Sequence, residues 1–134
     1  MNKGLIFTLI LFFSIAISAQ EFKFEMETIN YGKIAKGSNG ERTFVFTNIG
    51  DGPIIIQKVQ TSCDCAVPKK PEKPIMPGEK AEIKVSYDTK KLGGFSKQIT
   101  IFSNAKKTRK IIKIKGYVTK EISLEKKNSI LSDN

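Results

Sequence analysis

Residues 80–88 read KAEIKVSYD, and their strict alternation of apolar and polar side chains constrains this chain more than any other feature. Ala81, Ile83, Val85 and Tyr87 fall on one side; Glu82, Lys84 and Ser86 fall on the other. A helix would scatter these residues around its circumference. A strand places successive side chains on opposite faces and gathers the apolar set on one of them. The same period recurs at 22–27, where Phe22, Phe24 and Met26 alternate with Lys23, Glu25 and Glu27. Residues 43–47 (TFVFT) are β-branched and aromatic, with Phe44 and Phe46 sharing a face. Residues 54–59 (IIIQKV) read as a more apolar strand, covered on both sides at its start. Two more strands fall at 95–102 and 110–118. In the last, Ile112, Ile114 and Val118 share a face with Gly116, opposite Ile111, Lys113, Lys115 and Tyr117.

Turn chemistry separates these runs. Residues 48–53 (NIGDGP) supply positions that tolerate positive φ. Pro77-Gly78 suits the centre of a type II turn, and Gly93-Gly94 interrupts the chain before Phe95. Residues 68–77 are rich in Pro and Lys and read as a surface loop; 104–109 form a basic hairpin loop. No stretch carries a 3.6-residue stripe. The expectation is an all-β fold: an immunoglobulin-like antiparallel β-sandwich of about seven strands over residues 22–119. The antibody marks are missing, since there is no Trp and the two Cys stand too close in sequence to bridge two sheets.

The ends read differently. Residues 1–20 (MNKGLIFTLILFFSIAISAQ) combine Lys3, an apolar run and small residues around Ala19, the layout of a cleaved signal peptide over residues 1–19. The apolar run is shorter than the roughly 20 residues that span a bilayer, so the chain is not expected to cross a membrane once cleaved. Residues 120–134 are expected to be a charged, flexible tail. The localisation that follows is periplasmic or extracellular, where disulfides persist.

Several segments together carry a family resemblance: INYGKI at 29–34, FVFTNIG at 44–50, TSCDCA at 61–66, IMPGE at 75–79, VSYDT at 85–89 and IKGYV at 114–118. Their order, with Cys-x-Cys in the middle, resembles a bacterial domain-of-unknown-function family with an immunoglobulin-like sandwich. That family is common in exported proteins of Bacteroidetes-type bacteria and is similar to the Hydin and major-sperm-protein group. Ala66 stands where its members often carry Thr. The resemblance implies a fold; it brings no reaction and no catalytic residues.

Function must then be read from chemistry. The 134 residues contain no His, which excludes a Ser-His-Asp triad, a Cys-His dyad and a His-ligated zinc site. No carboxylate pair is spaced for acid–base work, no phosphate-cradling loop precedes a helix, and no cofactor is called for. Cys63-Asp64-Cys65 is the one motif with chemical potential. Three readings stay open: a local disulfide or buried thiol pair without a chemical role, a thiol–disulfide exchange site, and a Cu(I) site in which Met76 adds a third soft ligand. Cross-linking of a dimer is a fourth. A bond between residues two apart needs a bend at Asp64 and closes a tiny loop, so it adds little stability.

The charge is the other feature: 23 Lys+Arg against 13 Asp+Glu. Lys106, Lys107, Arg109, Lys110 and Lys113 cluster as a possible anion-binding surface. The plain alternative is a solubilising surface. Tyr31 and Tyr117 read as core or rim residues rather than ligand stackers, and nucleic acid is not expected as a partner. The function expected is an exported, non-enzymatic binding module of the cell envelope whose partner is another protein or an anionic envelope polymer. The alternative is a thiol-redox or Cu(I)-handling protein using Cys63 and Cys65.

Overall fold

A computed structural model describes residues 20–120. The expected leader (1–19) and the tail from residue 121 onward lie outside the described residues. Eight strands follow in order: β1 (Phe22–Phe24), β2 (Thr28–Ala35), β3 (Glu41–Asn48), β4 (Ile56–Thr61), β5 (Ala66–Lys69), β6 (Lys80–Tyr87), β7 (Gly93–Ser103) and β8 (Arg109–Thr119). They form two four-stranded sheets, β1-β3-β6-β5 (sheet 1) and β2-β8-β7-β4 (sheet 2), and the described residues hold no helix.

The alternation in the sequence is the reason the sheets stack. Phe44, Phe46, Ile83 and Val85 point inward from sheet 1, and Ile99, Ile101, Ile112, Ile114 and Val118 from sheet 2; all are essentially fully buried. Each such side chain contributes about 1.5–3 kcal/mol of transfer free energy. The intervening Glu82, Lys84, Lys113 and Lys115 face water. At one end of this core Tyr31, Tyr87 and Phe95 pack together, with Tyr87 and Phe95 stacked at 3.7 Å between ring centroids.

One pairing departs from the antiparallel expectation: β2 runs parallel to β8. The cause is a change of sheet. β1 pairs antiparallel with β3 in sheet 1, then the chain crosses at residues 25–27 and continues as β2 at the edge of sheet 2. Sheet 2 otherwise consists of antiparallel pairs. Met26 therefore falls in the crossing and is exposed instead of extending the β1 face. β2 carries a register shift between Asn30 and Lys33, where Gly32 takes φ 65° and donates its N–H to Asn30 Oδ1 at 2.9 Å.

Two local expectations are corrected. The start of 54–59 is not covered on both sides: Ile54 and Ile56 are buried, but Ile55 faces out, its N–H held by Asn104 Oδ1 at 2.8 Å. The proline-rich stretch 68–77 does not begin as a loop, because Pro68 and Lys69 complete β5. Asp88 donates to the Cys65 carbonyl, so alternate residues of β5 face β6 and the ring nitrogen of Pro68 faces away from it. An edge strand tolerates proline in that position.

Candidate functional site

Cys63-Asp64-Cys65 sits in the turn between β4 and β5, where the chain passes from sheet 2 to sheet 1. The two cysteines are joined by a disulfide, with Cα atoms 5.3 Å apart. An extended backbone would have set the thiols side by side on one face; the bend at Asp64 closes the gap instead. Cys65 is buried against the core and Cys63 is half-buried. The turn has other ties. Thr61 Oγ1 donates to the carbonyls of Cys63 (2.6 Å) and Ala66 (3.0 Å), and the Asp88 N–H donates to the Cys65 carbonyl (2.8 Å). Because the closed loop is so short, loop entropy assigns the bond only about 1.5 kcal/mol. The double variant Cys63→Ser/Cys65→Ser is thus expected to fold, with its guanidinium unfolding free energy lowered by about 1–2 kcal/mol. A loss above about 4 kcal/mol would show that the bond organises far more than this turn.

Met76 is not brought to the cysteines, which corrects the Cu(I) trio. It follows Ile75, which bridges to Ile54 just before β4 begins, whereas the cysteines follow the end of β4. The six residues of β4 alone put roughly 17–20 Å between the two ends. No group of three or more His, Cys, Asp or Glu placed to hold a metal occurs among the described residues.

The basic cluster read from the sequence is divided by the fold. Arg109 and Lys113 lie on the outer face of sheet 2, with the Arg109 guanidinium 5.3 Å from the Phe102 ring centroid. Lys110 points the other way and pairs with Glu27. Lys106 and Lys107 belong to the β7–β8 loop, where with Lys110, Phe22 and Ala105 they line a recess of about 230 Å³. Lys33, Lys58 and Lys115, from three different strands, join Arg109 and Lys113 on the outer face. No sequence signal marks that assembly, because Lys33 and Lys115 are distant in the chain and become neighbours only through the β2–β8 register.

The strand edges are the other candidate surface. β3 is eight residues long, but β1 pairs only with its last three, Phe46 to Asn48. The Glu25 N–H extends the pairing to the Val45 carbonyl at 3.0 Å. Beyond it, Thr43 and Glu41 turn their backbone groups to the same side, where no strand pairs with them among the described residues. Glu41 is capped locally: Asn39 Oδ1 accepts its N–H, and Arg42 Nη1 donates to its carbonyl at 2.8 Å. The Arg42 guanidinium lies 4.2 Å from the Tyr31 ring centroid. Burial pushes the Tyr31 hydroxyl up to about 12, against the pull of Arg42, and the hydroxyl donates to the Gly40 carbonyl at 2.7 Å. Burial, then Asp88, raises Tyr87 as well. These hydroxyls therefore stay protonated and structural at neutral pH.

Solved structures share this architecture. A protein of unknown function from Porphyromonas gingivalis W83 superposes with a TM-score of 0.66 at 18% identity, over 78% of this chain. The chain spans about half the length of that protein. PapD-like domain 7 of human CEP192 gives 0.64 at 6% identity, covering 78% of this chain and 89% of the domain. One chain of the CsuC–CsuE chaperone–tip adhesion subunit complex of Acinetobacter baumannii pili gives 0.54 at 14% identity, covering 85% of this chain and 66% of that one. No curated protein matches the chain. Fold and neighbours define the class as an all-β, immunoglobulin-like sandwich. The chain belongs to the family described as "Protein of unknown function (DUF1573)", which matches residues 22–118.

Proposed function

We propose that this protein is an exported, non-enzymatic module of the cell envelope that binds another protein through the uncovered edge of β3. The observation that carries the reading is the short reach of β1, which leaves Thr43 without a strand neighbour on one side among the described residues. An extended segment laid there gains main-chain hydrogen bonds, and alternate side chains supply specificity. Arg42 guards the site while it is empty, since an inward-pointing charge at an edge opposes indiscriminate strand addition. The likeness to one chain of a chaperone–tip adhesion subunit complex, and to the YadV chaperone, supports protein binding as the trade of such a sandwich. The apolar leader over residues 1–19 supports export.

A photo-reactive phenylalanine analogue at position 43, in the producing bacterium, tests this. A discrete cross-linked protein is expected from position 43 and none from position 82, on the outer face of the same sheet. Equal labelling at both positions, or none at 43, rejects the edge. Recovery of the protein by osmotic shock or in the medium tests export.

The half-buried Cys63 of the bonded pair favours a second reading, thiol–disulfide exchange. A trapped mixed disulfide on Cys63 in a Cys65→Ser variant supports it; a pair that resists mild reductant removes it.

A further inference from the structure

The outer face of sheet 2 carries Lys33, Lys58, Arg109, Lys113 and Lys115, and no outward-facing position of its strands holds an acid. Sheet 1 differs. Its outer face mixes Lys23, Lys69, Lys80 and Lys84 with Glu41 and Glu82, and Lys80 pairs with Glu25. Net charge alone would not leave one of the two outer faces without an acid.

The cations are also set in an ordered surface. Register aligns Lys33, Tyr117 and Gly94 in one row across β2, β8 and β7; the next row is Asn30, Lys115 and Ser96. The two rows line a shallow groove of about 630 Å³. Gly94 leaves the floor bare where a side chain would otherwise stand beside the Tyr117 ring, whose Cδ2 lies 3.5 Å from where a Cβ on Gly94 would be. Tyr117 remains 51% exposed, an aromatic surface that the other described residues leave open. Further along the same face Lys113 stands opposite Gln98 and Thr28.

We propose that this groove binds an acidic polysaccharide, one built of uronic-acid-type sugars. The Tyr117 ring offers an apolar plane for the C–H face of a pyranose, and the glycine floor lets the sugar approach it. Asn30 Nδ2 and the Ser96 hydroxyl meet sugar hydroxyls, while the Lys33 and Lys115 ammonium groups meet carboxylates. Lys115 and Lys113, two residues apart on one face of β8, stand roughly 7 Å from each other, which suits a chain carrying charge at intervals. An acidic peptide has less use for an exposed ring on a flat floor. The neutral donors interleaved with the cations also fit a ligand rich in hydroxyls. This inference is independent of protein binding at the β3 edge, which lies in the other sheet.

Titration calorimetry of the folded protein with oligogalacturonate at low salt tests it, with neutral dextran and poly-glutamate as comparison probes. Oligogalacturonate is expected to bind, to weaken as salt rises, and to bind more tightly than poly-glutamate. Tyr117→Ala is expected to weaken binding about tenfold, Tyr117→Phe to leave it unchanged, and Lys33→Gln/Lys115→Gln to weaken it about tenfold or more. Lys84→Gln, on the other sheet, should have no effect. All are surface changes whose folding circular dichroism verifies. No binding of oligogalacturonate, binding insensitive to Tyr117→Ala, or equal affinity for poly-glutamate overturns the proposal; the last outcome would make the face an acidic-protein surface.

Discussion

Asn48→Leu is expected to destabilise the sandwich by about 4 kcal/mol, although the two side chains are close in size. Asn48 ends β3 and is 1% exposed. Its Nδ2 donates to the carbonyls of Gly52 and Ile75, both at 2.8 Å, and its Oδ1 accepts the Gly50 N–H at 2.9 Å. One amide thus ties the 48–53 turn to the segment that bridges Ile54. The main chain of Asn48 adds to the junction: its N–H reaches the Glu79 carbonyl, and its carbonyl receives the Gly78 N–H. Each side-chain hydrogen bond contributes about 1 kcal/mol net, and a buried carbonyl stripped of its partner loses about 1–3 kcal/mol more. Ile75 and Gly50 retain other partners, Ile54 and Glu21; for the Gly52 carbonyl the amide supplies the bond. Asn48→Asp separates the terms. It keeps the acceptor, loses both donors and buries a charge. It should therefore be the worse variant at neutral pH and recover as falling pH protonates the carboxyl. Guanidinium denaturation at two pH values reads both effects. A loss below about 1 kcal/mol for Asn48→Leu would mean that water replaces the amide.

That junction also marks where sequence reading stops. Phe44, Phe46, Ile83, Val85, Ile112 and Ile114 were legible as core because each lies in a run of unbroken period two. β2 escaped because the bulge at Asn30–Lys33 breaks its period and Gly32 reads as a turn residue. β5 escaped because Pro68 reads as a breaker, and only its edge position makes that proline harmless. The parallel β2–β8 pair follows from the crossing at 25–27, an event without a composition of its own. Asn48 sits within NIGDGP and looks like any turn asparagine; its partner Ile75 is 27 residues away. The cysteine pair was legible as a pair, and the need for a bend at Asp64 followed from strand geometry. Its distance from Met76 was not, since it depends on β4 separating the two ends. The cationic face was half legible. Lys113 and Lys115 alternate visibly along β8, but Lys33 and Lys58 reach the same face through register alone. Local period carries the layers; long-range register carries the surfaces on which binding depends.

Gly40→Ala tests the register directly and is expected to lower stability by about 3 kcal/mol or more. Gly40 precedes β3 and is buried. Its φ lies outside the left-handed region, so alanine suffers no backbone strain there. The obstacle is space. A Cβ at this position would stand on the Tyr87 carbonyl oxygen, with Thr89 Cγ2 at 3.0 Å. A flexible side chain could turn aside, but a strand carbonyl cannot. Tyr87 ends β6, its N–H donates to the Gly40 carbonyl at 3.0 Å, and that carbonyl also takes the Tyr31 hydroxyl. Opening the contact therefore strains the β3–β6 end, loosens the Tyr31 anchor and disturbs the Tyr87–Phe95 stack together. Gly37→Ala provides the contrast, because nothing lies within 4 Å of its Cβ but its φ is 78°. That variant should lose only about 1–2 kcal/mol, the strain of a left-handed alanine. Thermal unfolding of both variants decides the matter. If Gly37→Ala proves the more damaging, conformational strain rather than the close approach of β3 to β6 sets the limit at this end of the sandwich.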